Sequence, residues 1–331
     1  MNKLKTIGVS ALCGSLAAVS AQAGEIAVTG SANVTYTGKS GNVNGQPLGL
    51  GTALAFAGSG ELDNGSAVGV NIYHDDQNVF SSADIYVDVA GFGKVTFDQG
   101  GGTGLDRLDD KMPTAWEESY DAGAGSNIVT VTGVGGGMDM EVAVSGDMLP
   151  EGTSLYISYA PGAAGGSAND KATTGVLGGQ AGSGYDVVVE QAVGTASVFA
   201  GISKIDMNGS QTDRNQHAYG LTVTAGMVTA GYQKSRDGLG SLTVAHYDND
   251  AFGVSFVVND NLSVSFAEHE SQKYTAEGDA NSTLEVSSLQ AAYTMGGATF
   301  KIARSEVTNG SYSTAANQDY DVNVVGLSLA F

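Results

Sequence analysis

Six carboxylates crowd into the seventeen residues from Leu105 to Asp121, LDRLDDKMPTAWEESYD: Asp106, Asp109, Asp110, Glu117, Glu118 and Asp121. Arg107 and Lys111 are the only basic residues there, and the stretch also holds Pro113 and the only Trp of the chain, Trp116. Carboxylates at this density attract cations. Asp109–Asp110 offers oxygen ligands for weak divalent-ion binding, as does Asp248-Asn249-Asp250, although a solvated loop is the plainer reading of both. Other chemistry is missing. The chain has no G-x-S-x-G, no H-E-x-x-H, no Walker loop and no complete EF-hand pattern. The four histidines, His74, His217, His246 and His269, are too far apart for ligand spacing, and Gly100–Gly104 lacks a following Lys-Ser/Thr. Neither an enzyme nor a cofactor is expected, beyond a weakly held divalent cation.

The elements around this stretch have a period of two. In EIAVTGSANVTY, Ile26, Val28, Gly30, Ala32, Val34 and Tyr36 alternate with Ala27, Thr29, Ser31, Asn33 and Thr35. In DIYVDVAG, Ile85, Val87 and Val89 oppose Asp84, Tyr86 and Asp88, and Val95 and Phe97 oppose Lys94, Thr96 and Asp98. Met138, Met140, Val142 and Val144 oppose Asp139 and Glu141. This alternation is the strand signal. The second face also carries Asp186, Glu190 and Lys301 at matching parity.

Connections decide between a sandwich and a barrel. Tight ones (63–65, 91–93, 193–195, 225–227, 259–261, 295–297) alternate with long ones (38–48, 74–82, 99–136, 161–184, 206–215, 236–250, 271–283, 307–318), with 146–153 intermediate. That makes 15 connections and 16 antiparallel strands. Long loops on one rim and tight turns on the other mark a transmembrane β-barrel. Residues 127–133 and 241–248 are also strand-like, and counting both would give 18 strands. Sixteen is preferred, because a strand at 127–133 would put the long segment 161–184 on the tight-turn rim.

Residues 1–23 have the form of an export signal: Lys3 and Lys5, a short apolar run, then Ala21-Gln22-Ala23, with cleavage expected between Ala23 and Gly24. Residues 24–331 would then form the barrel. The segment contains the only cysteine, Cys13, so no disulfide would hold the remainder. Of the 14 Lys+Arg, Lys3 and Lys5 fall within it, leaving 12 against 35 Asp+Glu, a formal −23. Nucleic acid and anionic lipid both need basic clusters, so neither is favoured as a charge partner; cations are.

The junction GFGKVTFDQG (Gly91–Gly100), the stretch DDKMPTAWEESYD and the terminal strand VVGLSLAF, which ends in Phe331, together resemble the general trimeric porins of Gram-negative bacteria, the alphaproteobacterial type in particular. The resemblance implies a 16-stranded barrel in the outer membrane with lipid around it. It also implies a homotrimer and passive diffusion of small hydrophilic solutes and ions. Segment 100–136 would be the third loop, folded inward. Pro113 would open a short helix over 114–118. The constriction would then be lined by Asp106, Arg107, Asp109, Asp110, Lys111, Trp116, Glu117, Glu118 and Asp121. The wall would contribute Asp84, Asp88, Lys94, Asp98, Asp139, Glu141, Asp186, Glu190 and Lys301. One departure stands out: the family sets a ladder of basic residues opposite the acidic loop, and the first four strands here carry no Lys or Arg. A cation preference follows. The competing readings are a secreted β-rich adhesin and an 18-stranded solute-specific channel.

Overall fold

The computed structural model describes residues 26–40, 46–76, 81–134, 138–163, 181–207, 212–239, 244–275 and 280–331. Ala23 and Gly24 lie outside them. Sixteen strands follow in order: β1 (Ile26–Lys39), β2 (Leu48–Glu61), β3 (Ala67–Asp75), β4 (Ser82–Val89), β5 (Gly93–Gln99), β6 (Met138–Val144), β7 (Thr153–Ala160) and β8 (Ala181–Val193). Then come β9 (Ala196–Met207), β10 (Arg214–Ala225), β11 (Val228–Gly238), β12 (Val244–Asn259), β13 (Leu262–Thr275), β14 (Ala280–Met295), β15 (Ala298–Thr308) and β16 (Tyr320–Ala330).

Each strand pairs antiparallel with the next, and β1 pairs with β16, so the sheet is a closed barrel. Closure satisfies the backbone groups that open edges would leave unpaired. At the seam Gly30 and Phe331 exchange two backbone hydrogen bonds of 2.9 and 3.0 Å. The Phe331 ring lies over Gly30, where a Cβ would collide with it. Gly30 is therefore small for its own chain's terminal ring. The tight rim is built from two-residue turns such as Gly194-Thr195 and Gly226-Met227, whose glycines take φ of +62° in both cases. Only glycine adopts that value without cost.

The alternation faces the way the sequence predicts. Ile85, Phe97, Met140, Ile157, Ile202, Phe256, Phe300 and Leu329 are all exposed on the outside. On β11–β16 that outer stripe stops part-way up. Beyond Tyr232, Phe252, Phe266, Leu289, Ile302 and Val325, the outer positions become Lys234, Asp250, Glu268, Ser287, Arg304 and Asn323. On β14–β16 the inner face turns apolar over the same stretch, with Leu284, Val286, Val307, Val322 and Val324 at 0–3% exposure. The polarity of the wall is thus inverted toward the long-loop rim.

Two expectations change. Residues 244–250 and 271–275 are strand, not loop, so Asp248 and Asp250 stand on the outer face of β12. No helix covers 114–118; the only helical turn in this segment is a 3₁₀ turn at Gly104–Leu108. The NH groups that would start a helix after Pro113 are taken elsewhere: Ala115 donates to Ser265 Oγ at 2.8 Å, and Trp116 and Glu117 donate to Gln290 Oε1 at 3.0 and 3.1 Å. Residues 127–133 form no strand, in agreement with the count of 16.

Candidate functional site

Segment 100–134 packs on the wall face opposite the exposed apolar stripe, from β6 round to β16. Its first half buries Leu105, Leu108, Met112 and Val131 against Val188 (β8), Phe199 (β9), Ala218 (β10) and Ala251 (β12). Its second half buries Trp116, Ala122 and Ala124 against Leu284 and Val286 (β14), Ala303 and Val307 (β15) and Tyr320, Val322 and Val324 (β16). The protein's core lies in this interface. Gly231 and Gly253 make room for Pro113, and Gly326 for the Trp116 ring.

Wall carboxylates hold the segment down. Asp98 accepts from Gly101 N at 2.9 Å, Asp139 from Thr103 Oγ1 at 2.9 Å, and Glu141 from Gly104 N at 2.8 Å. Asp186 accepts from Leu105 N at 2.7 Å and Val134 N at 3.0 Å through a single oxygen, Oδ2. Both ends of the segment are therefore clasped at one side chain. Gly104 and Gly133, with φ of +55° and +58°, bring the backbone close enough for this; a Cβ at either would run into Asp186 Oδ2. Exposures of 7% for Asp98, 2% for Asp139, 5% for Glu141 and 0% for Asp186 correct the expectation that these four line open space. They are tethers beneath the segment.

The two basic residues of the segment are also turned toward the wall. Arg107 pairs with Glu141, its guanidinium 3.6 Å from the centre of the Tyr156 ring, and Lys111 Nζ lies 2.6 Å from Glu190 Oε1. These pairs are largely desolvated, so losing one partner would strand a charge. Arg107, Lys111 and Glu190 thus serve the interface.

Asp106 caps the backbone locally, accepting from Gly102 N at 2.7 Å. Glu118 is buried and Asp109 partly so, whereas Asp110, Glu117 and Asp121 are exposed. Trp116 is 9% exposed and packed, with Lys301 Nζ 5.4 Å from its ring centre. Gln290 clamps the tip: it accepts from Trp116 N and Glu117 N and donates Nε2–H to Glu117 O at 2.7 Å. Of the remaining wall positions, Asp84 accepts from Asn71 Nδ2 at 2.9 Å, Asp88 is exposed, and Lys94 Nζ lies 4.2 Å from the Tyr86 ring centre.

Burial raises the carboxyls of this segment. Asp109 is pushed up to about 7, by burial first and then by Asp110. Glu118 is raised well above its ordinary value by burial, with Asp110, Asp109 and Asp121 adding to it. Asp106 is also raised, and so are Asp110, Glu117 and Asp121, whose side chains reach water from a crowded surrounding that desolvates them in part. A carboxyl raised in the folded state binds its proton more tightly there than when unfolded. Its stabilisation is present below the unfolded value of about 4 and is lost as pH rises toward 7. The unfolding midpoint is expected to be higher at pH 5 than at pH 8. Asp109→Asn together with Glu118→Gln should flatten that slope, as a denaturant series at each pH would register.

The return arm, 124–131, is held by the loop after β15. Ser311 N donates to Ser126 O at 2.8 Å, Asn127 Nδ2 to Ser311 Oγ at 2.9 Å, and Val129 N to Tyr312 Oη at 2.9 Å. Asn127, Asn309, Ser311 and Tyr312 all have positive φ, between 54° and 58°. Such backbone costs of order 1–3 kcal/mol per residue, so its surroundings must enforce it. Sequence gave no sign of this contact or of the Gln290 clamp, since each joins residues about 180 apart.

The weak divalent-ion candidates on β12 have other partners. Asp248 is bridged by Arg236 through two contacts, and Asp250 by Lys234 at 3.2 Å and by the Tyr232 hydroxyl. Among the described residues no group of three or more His, Cys, Asp or Glu is placed to hold a metal ion.

No protein-family model and no curated protein matches the chain. Solved porins share its fold. One is 16% identical with a TM-score of 0.65, covering 93% of this chain and all of its own. An anion-selective porin from Comamonas acidovorans is 14% identical with a TM-score of 0.64, covering 93% of this chain and 99% of its own. OmpF of Salmonella typhi, solved with daunomycin, is 13% identical with a TM-score of 0.65, covering 92% and 97%. The class defined is the 16-stranded porin-type barrel. At these identities the likeness carries the fold alone.

Proposed function

We propose that this protein is an outer-membrane porin: a homotrimeric, water-filled channel for passive diffusion of small hydrophilic solutes and ions, with a preference for cations. In this reading residues 1–23 are removed on export. The outer apolar stripe meets lipid, and segment 100–134 lies in the lumen and narrows it. No catalytic role or cofactor is part of the proposal.

The observation that carries it is the placing of the exposed carboxylates. Asp110, Glu117 and Asp121 stand on a segment whose other side is fastened to the inner wall, while its basic residues are turned away into ion pairs. Charges lining a water-filled route set its selectivity. The anion-selective neighbour has the same fold, which leaves the sign to side chains like these. A secreted adhesin would have no use for an outer surface of exposed Ile, Phe, Met and Leu.

Planar-bilayer recording under a KCl gradient tests the sign. The reversal potential should have the cation sign, and Asp110→Asn, Glu117→Gln and Asp121→Asn together should bring it close to zero. An anion-sign potential in the native protein overturns the preference, and no conductance at all overturns the channel.

A further inference from the structure

Resting on that channel reading, we propose that the passage sorts small organic solutes by net charge and not by dipole. It would admit aliphatic cations ahead of neutral molecules of the same size, and treat zwitterions like neutral ones.

Each inward-directed cation among the described residues is already placed, and Lys273, beside the inner Tyr247 in the strand register, has its Nζ 5.9 Å from the centre of the Tyr312 ring. Arg107 and Lys111 are paired with Glu141 and Glu190 beneath the segment. Lys39 donates to Ala124 O at 3.3 Å and lies 3.6 Å from the centre of the Tyr320 ring, so it too is drawn to the segment's side. Lys301 sits under Trp116, on the same side as Glu117. Arg214 is held by both oxygens of Asp237, at 2.8 and 2.6 Å. Lys94 lies on Tyr86 and faces Asp88 directly in the strand register.

The wall that segment 100–134 leaves uncovered is that of β2 and β3. Its inward residues along β2 are Gly49, Gly51, Ala53, Ala55, Ala57, Ser59 and Glu61, and Asp75 of β3 faces Ala53, so the charges on it are acidic and none is a cation. Across the passage from Asp110, Glu117 and Asp121, then, no described cation of β2 or β3 stands opposite. A dipolar solute gains from orientation only when each end meets an opposite charge. Here its ammonium end is attracted, its carboxylate end is repelled by the same acids, and the far wall, with Glu61 and Asp75, offers that end no cation. A diamine is attracted at both ends.

A four-carbon series isolates charge at nearly constant size: butane-1,4-diamine, butane-1,4-diol, 4-aminobutyrate and succinate. Permeation is measured into proteoliposomes at low salt. The diamine should enter at least about fivefold faster than the diol, the zwitterion within about twofold of it, and the dianion more slowly than all three, with the spread shrinking as salt screens the acids. In the Ala55→Lys variant, which adds a cation to that wall, the zwitterion should overtake the diol. A native channel in which the zwitterion runs about fivefold ahead of the diol, or the diamine does not lead, overturns the inference. So does an Ala55→Lys variant with an unchanged order. A diol that fails to enter overturns the channel reading itself, which separates the two failures.

Discussion

Gly133→Val is expected to detach both ends of the inner segment at once and to cost about 3–4 kcal/mol of stability. A β-branched residue in the left-handed region costs ~1–2 kcal/mol. Its Cβ would also occupy the place of Asp186 Oδ2 and come within 2.8 Å of the Leu105 Cβ. The clasp on Leu105 N and Val134 N would then open, and a buried carboxylate short of donors adds ~1–3 kcal/mol. The urea midpoint should fall and the conductance of the surviving channel should change. Gly194→Val is the matched control, since Gly194 has φ of +62° and nothing within 4 Å of its Cβ position. It carries the backbone cost without the collision. Equal losses in the two variants would mean that Asp186 clasps nothing of consequence.

The second large effect concerns facing. Val87 pairs with Val68 and Val95 on the outer stripe, in the half of the wall toward the tight turns. Val87→Arg should destabilise the membrane-inserted barrel by ~2–4 kcal/mol, the depth-dependent cost of a cation on a lipid-facing strand. Ala55→Arg carries the same charge on the inner side and should cost little by comparison. Equilibrium unfolding from lipid vesicles measures both. A small loss for Val87→Arg, or a large one for Ala55→Arg, would reverse the inside and outside assigned here.

The order and number of strands were legible because alternation and turn chemistry are local. What escaped was decided by groups far apart in the chain. The start of β12 and the end of β13 look like loops in sequence because Asp248 and Asp250 occupy outer positions, where polarity is as acceptable as on a loop, and 271–275 are polar. Thr114–Glu118 has helical composition, yet Gln290 and Ser265, 150 residues or more away, take its NH groups. Parity placed Asp98, Asp139, Glu141 and Asp186 on the inner face correctly. It carries no information about a second layer of chain lying on top of them. The exposed acids Asp110, Glu117 and Asp121 were within the predicted set, but so were six neighbours that the structure turns inward or packs.

The inverted polarity of β14–β16 bears on how such a barrel is assembled. Inner Leu284, Val286, Val307, Val322 and Val324 are buried against Trp116, Ala122 and Ala124, with Tyr120, Ile128 and Tyr312 packed alongside. Those three residues precede in the chain every strand from β6 to β16. The surface that these strands pack on belongs to a part of the chain that precedes them, and the Gly30–Phe331 seam closes β1 on β16. The inner segment acts as a mandrel on which the far half of the cylinder is wound. Trimming it would be felt first as slow closure, and only afterwards as a wider opening.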